Sequence, residues 1–62
     1  MKVKYTILFE TGNEFEPTDY YDEFVEFDED IDDFELKNIL QQRIKYDYPN
    51  STCWLGSYEV YE

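Results

Sequence analysis

The chain has 62 residues, 16 of them acidic and 5 basic, with no histidine, for a formal net charge of −11. That length allows one small domain, and the charge excludes direct binding to duplex DNA, RNA or anionic lipid, because phosphates need lysine and arginine. A hydrophobic content of 42%, with 21% aromatic residues, is too rich for a disordered acidic tail and predicts a folded mini-domain.

In chain order, Lys2 to Phe9 reads as a strand. Val3, Tyr5, Ile7 and Phe9 fall on one face at period two, with Lys2, Lys4 and Thr6 on the other. Thr11-Gly12-Asn13 signals a turn, since Gly and Asn tolerate positive φ. Pro17 cannot donate to a ladder, so Glu14 to Asp19 is expected to be a loop or an irregular edge. Tyr20 to Phe27 is read as a second strand, with Tyr21, Val25 and Phe27 inward and Asp22, Phe24, Glu26 and Asp28 outward. A helix competes here, because Tyr20, Phe24, Phe27 and Ile31 also fit a spacing of about 3.6 residues. It would stack Asp19 on Glu23 and Asp22 on Glu26 as like-charge pairs, and the strand is favoured.

A helix over about residues 33–46 follows. Asp32 suits the N-cap, Glu35 three residues on completes a capping-box pattern, and Ile31 can staple to Leu36. Leu36, Ile39, Leu40 and Ile44 form one apolar stripe. Acids at the start and Arg43 and Lys45 near the end match the helix dipole, and Pro49 disfavours helical geometry at Tyr48. Cys53 to Tyr61 reads as a third strand, with Trp54, Tyr58 and Val60 on one face and Leu55, Ser57 and Tyr61 on the other. Gly56 marks a bulge or a close approach. The predicted fold is α+β, ordered β-β-α-β: a three-stranded antiparallel sheet in the order 2-1-3 with one helix on one face. One helix cannot cover aromatic side chains on both faces, so a surface is left over for a partner.

Catalysis finds little to work with. There is no histidine to act as base, no phosphate loop and no dinucleotide fingerprint. Cys53 sits in an apolar run with no basic neighbour and reads as an inert strand thiol. Asp28, Asp30 and Asp32 imitate the opening of a calcium loop, yet Asp33 stands where glycine is required and Ile39 where glutamate is required. Helix capping explains those acids better, and only weak, adventitious cation binding is expected. No zinc ligand set and no cofactor signature is present. A single cysteine precludes an intrachain disulfide, Thr6 and Glu10 interrupt any signal-peptide core, and no apolar run approaches a membrane span. A cytoplasmic protein is expected.

The charge is concentrated. Thirteen acids and no base lie between Glu10 and Glu35, while the rest of the chain holds three acids and five bases, a balance of +2. Interleaved with the acids are Phe15, Tyr20, Tyr21, Phe24, Val25, Phe27, Ile31 and Phe34, which a solvated tail would not need. On a strand, outward Asp22, Glu26 and Asp28 make a spaced row of anions resembling one strand of a phosphate backbone. Such a surface can occupy the basic groove of a nucleic-acid-binding protein, with Phe24 and Phe34 as apolar anchors. The candidate partner-binding residues are Asp19, Asp22, Glu23, Phe24, Glu26, Asp28, Glu29, Asp30, Asp33 and Phe34. The net charge exceeds the magnitude of about 2–8 that solubility asks of a small domain.

In size, acidity, absent disulfides and acid–aromatic mixture, the chain resembles the small acidic inhibitor proteins of bacteriophages and mobile elements. That group includes DNA-mimic inhibitors of restriction enzymes, inhibitors of uracil-DNA glycosylase and anti-CRISPR proteins. The resemblance implies a cytosolic protein that blocks a host nuclease, glycosylase or CRISPR effector by stoichiometric binding. The alternative is an acidic interaction or scaffold domain, dimerising through the sheet face that the helix leaves open.

Overall fold

Strict alternation in the first strand organises the whole molecule. In β1 (Lys2–Glu10), Val3, Tyr5 and Ile7 are buried while Lys2, Lys4, Thr6 and Leu8 between them are half-buried. The computed structural model describes residues 1–61, adding β2 (Thr18–Glu26), α1 (Asp33–Asp47) and β3 (Cys53–Val60). The strands form an antiparallel sheet in the order β2-β1-β3, with β1 in the centre. This is the α+β arrangement that the order of the elements predicts, and residues 20–26 are strand, not helix.

The β1–β2 register runs without interruption from Lys2↔Glu26 to Glu10↔Thr18. β2 starts earlier than the hydrophobic pattern suggested, because Pro17 is accommodated through its carbonyl: Thr11 N donates to Pro17 O at 3.1 Å. Gly12, at φ 76°, makes the turn. The Thr11 hydroxyl donates to Glu16 O, and Phe15 N donates to Asn13 Oδ1 at 2.9 Å, which orders the connection.

α1 begins where Asp32, with extended backbone, accepts a hydrogen bond from Glu35 N at 2.9 Å. The Glu35 side chain does not return the bond among the described residues; it lines a shallow depression with Phe27 and Ile31. Leu36, Leu40 and Ile44 are fully buried against Val3, Tyr5 and Ile7, with Ile31 packed beside them. Pro49 follows the Tyr48 C-cap, whose N–H donates to Ile44 O at 2.9 Å.

One facing in β3 is corrected. Tyr58 and Val60 share a face as expected and lie opposite Tyr5 and Val3, on the helix side, but the register shifts between Thr6 and Ile7. Beyond the shift Leu55 pairs with Ile7 and Trp54 with Leu8, so Leu55 faces the helix and Trp54 the open side. Gly56 is the extra residue of the bulge, and it reverses the alternation. It also makes the close approach: a Cβ there would lie 2.9 Å from Leu8 Cγ.

Candidate partner-binding surface

Because neighbouring strand residues point to opposite faces, the register assigns every side chain of β2. Tyr20, Asp22, Phe24 and Glu26 stand opposite Leu8, Thr6, Lys4 and Lys2, on the face without a helix. β3 completes this face with Trp54, Ser57 and Glu59, and Tyr61 follows where its N–H donates to Lys2 O at 3.1 Å. Phe24 is 62% exposed and meets Tyr61 edge to face at 6.0 Å. Asp22 accepts from the Thr6 hydroxyl at 2.7 Å and sits 4.0 Å from Lys4 Nζ.

Asp19 and Glu23 lie on the other face. Asp19 Oδ1 accepts from Tyr20 N at 2.9 Å, at the exposed edge. Glu23 is half-buried and accepts from the Tyr48 hydroxyl at 3.1 Å. That bond to a carboxylate, foremost, holds the Tyr48 hydroxyl above its ordinary pKa. α1 approaches β3 more closely than β2, which leaves Tyr21 exposed on the helix side of the sheet.

Asp28, Glu29 and Asp30 follow β2 directly and are exposed, lining the depression shared with Phe27, Ile31 and Glu35. Asp33 opens the first turn of α1, and Phe34 beside it is 80% exposed. The ten candidate residues therefore divide. Asp22, Phe24 and Glu26 share the open face; Asp28, Glu29, Asp30, Asp33 and Phe34 continue from its end around the helix start; Asp19 and Glu23 turn to the opposite side.

No carboxylate among the described residues is buried, and Lys4 forms an ion pair with Asp22 at 4.0 Å. Among the described residues no three Asp, Glu or Cys side chains converge as a metal ligand set. No described helix is long and apolar enough to cross a membrane.

Four exposed or half-exposed residues on the open face escaped the sequence reading of the site: Leu8, Tyr20, Trp54 and Tyr61. Gly56 was the available signal for Trp54, since a bulge at that position moves it to the open side. Phe15, among the aromatics interleaved with the acids but outside the candidate site, is 91% exposed at the hairpin end. No family model, curated protein or solved structure matches the chain.

Proposed function

We infer that this protein binds another protein at a basic, nucleic-acid-binding groove and blocks that groove by stoichiometric occupation. The observation that carries the reading is the unneutralised charge. The thirteen acids between Glu10 and Glu35 all remain at the surface, no base lies among them in the chain, and Lys4 pairs with Asp22 at 4.0 Å. Self-repulsion of this size destabilises a small fold, and a cationic partner relieves it. Asp22 and Glu26 lie four residues apart on one strand face, about 13 Å; Asp28, expected in the same row, lies beyond the end of β2, with Glu29 and Asp30 in the exposed segment before α1. Phe24 and Phe34 stand among the acids and supply apolar contacts that a phosphate backbone lacks.

The reading is tested by mixing the protein with purified DNA-binding enzymes and measuring DNA binding at rising salt. Inhibition should be competitive with DNA, and it should weaken as salt screens the charges. Replacing Asp22, Glu26 and Asp28 together by Asn, Gln and Asn should abolish it. Complexes in which DNA stays bound would rule the idea out.

A second reading is favoured by the open-face aromatics Tyr20, Phe24, Trp54 and Tyr61: a homodimer through that face. The same triple substitution separates the two. An inhibitor loses its partner, whereas a sheet-mediated dimer persists or tightens as repulsion falls.

A further inference from the structure

The ladder fixes which backbone groups of β2 are spent. Phe27 N donates to Met1 O at 2.8 Å, Met1 N to Phe27 O at 2.9 Å, and Thr11 N to Pro17 O at 3.1 Å. With the unbroken register between those pairs, the odd-numbered residues of β2 bond to β1. The even-numbered ones turn their N–H and C=O groups to the free edge. The Tyr20 N–H is taken by Asp19 Oδ1, which leaves Thr18, Asp22, Phe24 and Glu26 presenting theirs to solvent. This edge is nine residues long and has no bulge, unlike β3, whose edge is broken at Gly56.

Charge decides what can occupy it. β2 contains four acids and no base: Asp22 and Glu26 on one face, Asp19 and Glu23 on the other, each pair at the same four-residue spacing. A strand added at about 4.7–4.9 Å would set its side chains beside these carboxylates on both faces. The β2 of a second copy would bring carboxylate against carboxylate. A strand carrying Lys or Arg would bring the opposite charge, with Tyr20 and Phe24 exposed for the aliphatic stems to lie on.

We propose that the β2 edge accepts an extended, Lys/Arg-rich segment of a partner protein as a fourth strand. The proposal rests on the reading that the partner is basic, and adds the way in which it is held: main-chain hydrogen bonds give affinity and the carboxylates select the sequence.

The test is a titration of the isotope-labelled chain, followed by amide NMR, with a peptide matching β2 in length and alternating Lys and Val. A second peptide has the same sequence with every backbone amide N-methylated, which keeps the charge and removes the donors. The unmethylated peptide should shift the amides of Asp22, Phe24 and Glu26 and slow their exchange with solvent. The methylated peptide should bind about tenfold more weakly or worse. Phe24→Pro, which deletes one edge donor and no β1 bond, should weaken the first peptide well beyond Phe24→Ala, which loses the ring but keeps the donor; circular dichroism checks the folding of both, and the methylated peptide needs no variant. Equal affinity for the two peptides, or shifts confined to residues 28–33, overturns the edge proposal and leaves the acidic-surface reading standing. If neither peptide binds at low salt, both are contradicted.

Discussion

A methyl group at position 56 has no room. Its Cβ would lie 2.9 Å from Leu8 Cγ and 3.0 Å from Leu8 Cδ1, both in a half-buried side chain. Gly56→Ala should therefore cost about 1–3 kcal/mol through overpacking, measured by urea unfolding. Adding Leu8→Ala should recover part of that cost in a double-mutant cycle; strict additivity would place the strain elsewhere. Two tyrosines contribute to stability at alkaline pH. Tyr48 is raised above its ordinary pKa of 10.0 chiefly by its bond to Glu23, and Tyr5 chiefly by burial. A raised folded-state value stabilises below the unfolded value and is lost as pH rises through the folded one. Stability owed to these two groups should be level at neutral pH and fall above about pH 10, and Tyr48→Phe should reduce the fall. Unfolding midpoints measured across that range check it.

At the scale of elements, α1 illustrates what local chemistry specifies. Cap, stripe and stop lie within one stretch of chain, so they were legible without knowing what the helix packs on. Asp32→Ala should cost about 0.5–2 kcal/mol by freeing the Glu35 N–H. Leu40→Ala should cost about 2–5 kcal/mol, enough to unfold a domain whose core has six buried residues among those described, as thermal denaturation would reveal. β3 shows where local reading stops. The alternation assigned to Trp54 held only until the bulge at Gly56, and that bulge is defined by pairing with β1, which is remote in sequence. Glu23, read from the sequence only as a partner-binding candidate, shares the helix side with Tyr21 and Val25, where a hydroxyl 25 residues away accommodates its charge. Alternation alone turned Phe24 outward, whereas Trp54 and Tyr61 could not be assigned to the open face until the register was known, so the sequence outlined the acids with Phe24 and Phe34 but not the β3 aromatics.

Over the whole molecule, which measures 41 × 21 × 17 Å, the like charges lie within screening reach of one another at low salt. The Debye length falls from about 30 Å at 0.01 M to about 3 Å at 1 M, so the melting temperature should rise with sodium chloride. A melting temperature that falls with salt would mean that the carboxylates are compensated within the fold. We propose that a cationic partner uses this surface and relieves the repulsion. The most direct test of that claim immobilises the protein, captures binders from a bacterial lysate, and elutes with duplex DNA at constant ionic strength. Nucleic-acid-binding proteins should be released by the DNA and should not be retained by the chain with Asp22→Asn, Glu26→Gln and Asp28→Asn. Binders that DNA does not displace, or that the substituted chain retains equally well, would contradict the account.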